Sequence, residues 1–442
     1  MNIYFISLGC DKNLVDSENM LGILHEGGYR ITNEEQEADI IIINTCCFIH
    51  DAKQESINTI LEMAEHKKSG KLKALIVTGC LAERYKEEIL TQIPEVDALL
   101  GTSSFAEILN VIEKITDGKQ YTHFEALDRL PKVGSKRLLS SGTYSAYLKI
   151  AEGCDKHCTY CIIPQVRGNY RSVPQEDLIS EAKYLAEQGV KELILVAQET
   201  TLYGKDLYGE KALSKLLTQL CDIQGIEWVR ILYCYPEEIT DELIETIKKE
   251  PKICRYLDIP IQHASDRILK LMGRRTTKED LINIIYKLRD NLPDIVLRTT
   301  LITGFPSETG EEHEELMAFV KEMQFERLGV FTYSKEDQTS AAKLKPQITA
   351  KIKKQRQKEI MKLQQSVVFS HTEKLIGNQY QVLIEGRIVE EENVYIGRTY
   401  MDAPQVDGFI FITSEAELIS GDLINARVTG AKGYDLVGEI VT

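Results

Sequence analysis

Along the first 125 residues, short aliphatic runs alternate with longer stretches whose apolar residues recur at helical spacing. IYFISLG (3–9) is followed by a helix-like run at 13–27, ADIIIINTC (38–46) by one at 50–67, KALIVTGC (73–80) by one at 82–91, and VDALLGT (96–102) by one at 104–116. Strands that are nearly all aliphatic are buried on both faces. Their alternation with helices predicts an α/β domain over 1–125, a parallel, Rossmann-like sheet covered by helices. Residues 126–142 (ALDRLPKVGSKRLLSSG) are polar and punctuated and read as a linker.

Residues 143–373 carry six more strand candidates: AYLKIAEG (146–153), ELILVAQET (192–200), WVRILYCYP (228–236), YLDIPIQH (256–263), VLRTTLITGF (296–305) and RLGVFTYS (327–334). Helix-like stretches begin between them near Gln175, Ala212, Glu237, Ser265 and Ser307. Six βα units predict a partial (βα)6 barrel of the TIM type, with an open doubly wound sheet as the alternative. The basic stretch AKIKKQRQKEIMKLQQ (350–365) reads as a helix with a solvated face rather than a binding element. From 374 to 442 period-two alternation returns, broken by glycines, in YQVLIEG, NVYIGRTY, FIFIT, DLINARVTG and YDLVGEIV. Five short strands fit a small antiparallel β-barrel.

Composition adds constraints on partners. The 442-residue chain is 43% hydrophobic and 27% charged, ordinary for a soluble globular protein. Its formal net charge of −15 is a poor match to a protein that neutralises phosphates over a broad surface. A basic protein partner fits better, because opposite charge speeds encounter. The last region sharpens this: beyond Lys374 it holds 11 acidic residues against 4 Arg/Lys, a net −7. A barrel that reads RNA should instead carry Lys, Arg and stacking aromatics. The N-terminal MNIYFISLGCDKN lacks the basic segment of a signal peptide, and runs such as IIII (40–43) are too short to cross a bilayer. A cytoplasmic protein without a membrane is expected. Ten cysteines in such a chain point to metal or redox chemistry rather than disulfides.

Three of these cysteines follow three successive strands. Cys10 and Cys80 each come directly after a glycine, and Cys46 lies between them, one βα unit from each. Strands of a parallel sheet end on one side, so the three thiols should converge in the crevice where such sheets bind ligands. Neighbours at a strand end point in opposite directions, so only one of Cys46 and Cys47 should face that crevice. Cys221, Cys234 and Cys254 share no motif and read as small buried hydrophobes. A second group, Cys154, Cys158 and Cys161, forms C-x₃-C-x₂-C in GCDKHCTYCIIP, after the first barrel strand. Barrel chemistry sits at that end of the strands. Three thiolates can hold three irons of a cubane and leave the fourth to an exogenous chelator such as S-adenosylmethionine. The competing reading is zinc closed by His157, although C-x₃-C-x₂-C is not a zinc-pair spacing and His157 lies inside the same tight loop.

With these motifs in place, the chain resembles the radical S-adenosylmethionine methylthiotransferases over essentially its whole length. SLGCDKNLVDSE, NTCCFI and VTGCLAERY are similar to the family's N-terminal cluster-binding segments, residues 153–164 to its radical-cluster loop, and the C-terminal barrel to its TRAM domain. The resemblance implies two 4Fe–4S clusters, one on Cys10, Cys46 and Cys80 and one on Cys154, Cys158 and Cys161. S-adenosylmethionine would serve both as radical source and as methyl donor. No catalytic residue beyond the cluster ligands is implied. Tyr160 falls in the aromatic slot beside the adenine. Gln198, Gln262, Arg298 and Thr300, near strand ends 2, 4 and 5, are candidates to bond the nucleoside and the methionine carboxylate, with internal pairing in the barrel as the alternative. TGFPSET (303–309) resembles a ligand-approach loop, while His263 and His313 read as structural or exposed.

Of the family's two branches, SLGCDKNLVDSE, YLDIPIQHASDRILKLM, GVFTYSKEDQTSA and GRTYMDAPQVDG look like the one that methylthiolates an aspartate β-carbon in the twelfth protein of the small ribosomal subunit. The transfer-RNA branch usually carries a TYGCQMN-like segment. The resemblance therefore implies a basic ribosomal protein as substrate and an electron donor such as a flavodoxin or ferredoxin. Methylthiolation of a transfer-RNA adenosine, or a non-catalytic iron–sulfur carrier, are the alternatives.

Overall fold

A computed structural model describes residues 1–115, 119–131, 136–140, 142–389, 391 and 393–441. Parts of the expected linker (132–135 and 141), the end of the run at 104–116, and the final residue of the last region lie outside the described residues.

The N-terminal sheet has six strands: β1 (Asn2–Ser7), β2 (Arg30–Thr32), β3 (Ile40–Thr45), β4 (Ala74–Gly79), β5 (Ala98–Leu100) and β6 (Tyr121–His123). All pairings are parallel and the order is β2-β1-β3-β4-β5-β6. Every residue of β3 and β4 is buried, as their aliphatic runs require. The two edge strands, β2 and β6, were not legible because three residues are too few to show alternation. The chain leaves β1 for β2 on one side and returns to β3 on the other. That reversal makes the β1/β3 carboxyl ends a topological switch point, where α/β sheets bind ligands.

The central domain has two strands after the linker, β7 (Ser145–Lys149) and β8 (Ala151–Glu152), then β9 (Arg171–Ser172), β10 (Glu192–Val196), β11 (Trp228–Ile231), β12 (Ile253–Asp258), β13 (Val296–Thr303) and β14 (Arg327–Thr332). The main sheet runs β7-β10-β11-β12-β13-β14, all parallel and without reversal. Absence of a reversal separates a partial barrel from the doubly wound alternative. The expected first strand is split at Ile150: β8 leaves the barrel to pair antiparallel with β9, and this two-stranded clasp closes the cysteine loop between them. Alternate strand residues such as Leu193 and Leu195 face the surrounding helices. The intervening Ile194, Val196, Trp228, Tyr256 and Val296 face the other way and pack on the C-terminal domain.

That domain is a closed barrel of β15 (Gln379–Arg387), β16 (Val394–Arg398), β17 (Ile410–Thr413), β18 (Leu423–Lys432) and β19 (Asp435–Ile440). Four of its pairings are antiparallel and β17–β19 is parallel. Its junction with the central domain is ionic as well as apolar. Glu192, fully buried, accepts from Arg230 Nε at 2.7 Å and from Arg398 Nη2 at 2.6 Å. Arg398 also bonds Glu385 at 2.6 Å, and Arg327 Nε bonds Asp402 at 3.0 Å. Asp407 accepts from the Tyr256 hydroxyl at 2.7 Å. Three of the acidic residues beyond Lys374 are thus turned inward, while Glu391, Glu415, Glu417 and Glu439 remain exposed.

Glu192→Ala would leave the buried Arg230 guanidinium without its carboxylate and Arg398 with Glu385 alone. Removing one partner of such a pair costs about 3–5 kcal/mol. The expected outcome is a large fall in the urea midpoint of the purified protein.

Candidate active site

Backbone geometry at the sheet edge brings Cys10, Cys46 and Cys80 together. Gly9 and Gly79 have φ of +94° and +89°, which residues with a Cβ rarely adopt. A Cβ at Gly9 would lie 2.7 Å from Cys46 Cβ, and one at Gly79 2.5 Å from the Thr45 carbonyl. Both glycines are therefore needed for β1 and β4 to turn against the end of β3. Asn13 secures the turn by donating from Nδ2 to the Leu8 and Thr45 carbonyls, both at 2.9 Å. Cys46 and Cys80 are each 7% exposed, whereas Cys10 is exposed. Cys47 faces the core on the other side, with Sγ 3.2 Å from the Cys80 carbonyl. Burial, with Cys80 adding to it, pushes the Cys46 thiol up to about 12, and burial likewise raises Cys80 against the pull of Arg167.

The barrel loop is equally constrained. A Cβ at Gly153 (φ +77°) would strike the Asn169 carbonyl at 2.1 Å, so the chain enters the loop only through glycine. Within it, Cys154 N donates to Gly168 O at 3.1 Å and Cys161 N to Cys158 O at 3.0 Å. Thr159 Oγ1 bonds the Leu271 carbonyl at 2.7 Å. Cys158 Sγ lies 3.6 Å from the Tyr235 hydroxyl. Burial pushes the Cys154 thiol up to about 12. His157 has φ +51° and an exposed side chain, whereas Cys154 and Cys158 are buried. An exposed imidazole beside buried thiols is a poor fourth ligand for the closed site that the zinc reading needed.

The donor set fits iron–sulfur cubanes. Both triads are all-sulfur, and a buried thiolate is costly unless a metal charge compensates it. Among the described residues no three His, Cys, Asp or Glu groups are set around a point that one metal ion could occupy. A cubane asks for less, because each thiolate binds its own iron. Several polar atoms at the barrel mouth also lack a hydrogen-bond partner while buried: Gln198 Oε1, Gln262 Oε1 and Asp11 Oδ2. Buried polar groups are normally paired, and these unpaired ones suit a polar small molecule.

Arg167 joins the two triads, and the sequence reading missed it. It lies six residues after Cys161, at the end of helix Ile163–Arg167, and its guanidinium is buried. Nε donates to Cys80 Sγ at 3.4 Å, and Nη1 to Asp16 at 2.7 Å and Glu152 at 3.0 Å, while Nη2 bonds Asn13. Lys149 is ion-paired with the same two carboxylates. Burial alone would raise the Glu152 carboxyl, but Arg167 and Lys149 overcome it and hold it well below the usual range. No motif signals this group; the one available clue is that Asp16, Lys149, Glu152 and Arg167 are charges beside apolar runs.

The residues expected near S-adenosylmethionine are not all equally free. Gln198 donates to Glu152 at 2.9 Å and leaves Oε1 open. Gln262 has φ +72° and also leaves Oε1 open. Tyr160 is half-buried against a small apolar cluster with Ile268 and Met272. Arg298, by contrast, donates to Asp258 at 2.8 Å, approaches Asp407 at 3.6 Å and lies 3.4 Å from the Thr300 hydroxyl. Its charge is met by two carboxylates. At Gly304, the space a Cβ would take is filled by Lys353 Cγ at 2.4 Å, so that glycine serves helix packing. His313 bonds Glu359 at 2.7 Å, and His263 is fully buried, accepting at Nδ1 from Ser265 N at 2.9 Å.

Comparisons with known proteins agree with this layout. Residues 2–101 match the uncharacterized protein family UPF0004, residues 148–320 the radical SAM superfamily and residues 376–441 the TRAM domain. The chain is 64% identical over 438 residues to the ribosomal protein uS12 methylthiotransferase RimO of Lachnoclostridium phytofermentans, covering 99% of both chains. It is 50% identical to the protein of the same name from Clostridioides difficile, over 100% of this chain and 99% of that one. Among solved structures, the radical S-adenosylmethionine methyltransferase TsrM from Kitasatospora setae superposes with a TM-score of 0.55 at 12% identity, covering 75% of this chain and 74% of that one. The cobalamin-dependent radical enzyme OxsB gives 0.51 at 13% identity, covering 82% and 56%. These distant likenesses speak to the fold.

Two measurements check the buried polar groups. Arg167→Met would leave Asp16 and Glu152 to share the single cation of Lys149, and the expected loss is about 3 kcal/mol, the lower end for breaking a buried pair, read as a drop in unfolding midpoint. For His263, burial lowers the ring from 6.5 to about 3, against the opposing pull of Glu312. The unfolded chain therefore takes up a proton that the folded one refuses, so stability falls as pH drops from 6.5 towards 3. The slope is about 1.4 kcal/mol per pH unit, and His263→Gln should remove that share from the pH dependence of the urea midpoint.

Proposed function

Because the chain belongs to the ribosomal protein uS12 methylthiotransferases, we propose that it methylthiolates the β-carbon of an aspartate in uS12 by radical S-adenosylmethionine chemistry. The observation that carries the reading is Arg167. It comes from the loop of one thiol triad and bonds a thiol of the other, so both triads serve one site. We assign Cys154, Cys158 and Cys161 to a 4Fe–4S cluster that binds S-adenosylmethionine, and Cys10, Cys46 and Cys80 to a second cluster. When bound, these groups supply the electron that splits S-adenosylmethionine, the hydrogen abstraction that an unactivated carbon needs, and an iron that holds the incoming sulfur.

The chain's own residues set up this site. Glycines at 9, 79 and 153 let the thiols approach, and the raised Cys46 and Cys154 thiols bind once a metal displaces their protons. Arg167 places positive charge against Cys80, and Glu152 orients both Arg167 and Gln198. We assign S-adenosylmethionine binding to Gln198 and Gln262, whose Oε1 atoms are open, and to Tyr160, half-buried on an apolar cluster. Thr300 and Arg298 act beside them, with Arg298 positioned by Asp258. The functional divisions are 1–125, 143–373 and 374–442, joined through 126–142. The exposed carboxylates of the last division suit a basic ribosomal protein better than RNA. A one-electron carrier such as a flavodoxin or ferredoxin supplies the electron. No helix among the described residues is long and apolar enough to cross a membrane, and we place the enzyme in the cytoplasm.

Anaerobic reconstitution tests this assignment. Incubation with S-adenosylmethionine, reductant, inorganic sulfide as the sulfur source and uS12 should add one methylthio group to the aspartate and release 5′-deoxyadenosine. A mass gain on transfer RNA alone, or no 5′-deoxyadenosine, would overturn it. Changing Cys154, Cys158 and Cys161 together to Ala should leave about half of the bound iron, since each triad holds one cubane.

A further inference from the structure

Asp11 and Lys12 directly follow the exposed Cys10 and project from the sheet edge onto the barrel mouth. Lys12 is only 5% exposed, with Nζ 3.0 Å from Asp11 Oδ1 and 3.0 Å from the centroid of the Tyr233 ring. Tyr233 follows the end of β11, on the side of the barrel where chemistry is carried. Its φ is +61°, a strained value for a residue with a Cβ. Asp258 Oδ2 at 3.2 Å from its N–H, and its own carbonyl accepting from Thr200 N at 3.0 Å, hold that backbone in place.

The bonding in this group is lopsided. Asp11 Oδ1 accepts three times, from Lys12 N at 3.1 Å, Lys12 Nζ at 3.0 Å and the Tyr233 hydroxyl at 3.2 Å. Asp11 Oδ2 is buried and has no hydrogen-bond partner. An ammonium has three donors, and among the described residues only Asp11 accepts from Lys12 Nζ. A buried ion pair that served stability alone would be expected to satisfy both its members. Here one donor and one acceptor are left unspent beside each other, at the seam between the two thiol triads.

An aspartate residue in a polypeptide is the complement of that pair. Its carboxylate answers the ammonium, and its backbone N–H answers Asp11 Oδ2. A nucleobase offers no anion to Lys12. We infer that Lys12 is the specificity-determining residue that receives the substrate aspartate's carboxylate, with Asp11 and Tyr233 positioning it; this rests on the function proposed above. Holding the carboxylate here would present the adjoining β-carbon to the seam between the triads.

Calorimetric binding to the reconstituted enzyme separates the two levels of the claim. The wild type should bind uS12 about tenfold or more tightly than a uS12 variant with the target Asp changed to Asn, as loss of one partner of a desolvated charge pair implies. Lys12→Met, and the closer-shaped Lys12→Gln, should bind both forms alike, and Lys12→Arg should recover a preference for Asp. If Lys12→Met and Lys12→Gln keep the wild-type preference, or if the wild type binds both uS12 forms equally while still methylthiolating uS12, Lys12 does not read the carboxylate. Failure of the wild type to bind uS12 in any form would overturn the function itself, and the inference with it.

Discussion

A guanidinium without water must find its counter-charges within the protein, and Arg167 finds them in two domains at once. Asp16 and Asn13 come from the N-terminal sheet domain, Glu152 from the barrel. Leaving any of them unmet in the interior would cost several kcal/mol, so the domains have one relative placement that satisfies the charge. That placement also fixes the two thiol triads relative to each other, because Arg167 lies next to Cys80 and just beyond Cys161. A reaction that needs both triads at one carbon therefore has its geometry set by ion pairing before any cofactor arrives.

The same logic recurs at the far side of the barrel. Glu192 starts β10 and is held by Arg230 from β11 and Arg398 from β16. A loosely tethered recognition module would have a polar, hydrated junction. This junction instead combines buried ions with a continuous apolar cluster from Trp228 and Tyr256 to Val382 and Ile412. The C-terminal barrel is thereby held as one body with the central barrel. The inward turn of Glu385, Asp402 and Asp407 also shows that net charge overstates surface charge. What attracts a basic partner is the exposed remainder.

Legibility from sequence followed the strength of each physical signal. Fully buried strands such as IIIINT and ALIVTG announced themselves, and so did the cysteines after them, because a parallel sheet aligns its strand ends. The glycines before Cys10 and Cys80 were visible too, and the structure gives their reason in the close approach to β3. The edge strands β2 and β6 and the splitting of the first barrel strand at Ile150 were hidden, being set by pairings with distant segments. Site charges were hidden for the same reason. Arg167 and Lys149 look like ordinary solvated cations in sequence and become site residues only through partners 151 and 133 positions away. For Arg298 the position near a strand end was legible and internal pairing was foreseen as the alternative, but Asp258 and Asp407 as the partners were not.

Exposure is uneven around the N-terminal triad. Cys46 and Cys80 are buried and Cys10 is open. Cys10 is therefore the thiol of the three that meets solvent. The opposite face of the sheet edge is closed by Cys47 and the core around Ile43 and Val77. Asp11 and Lys12 follow Cys10 on the side that faces the barrel. A cation at this position favours an acidic side chain and gives a neutral one no such counter-charge. Selectivity of that kind needs no large pocket, because discrimination by a buried ion pair with donors and acceptors left over does not depend on buried area.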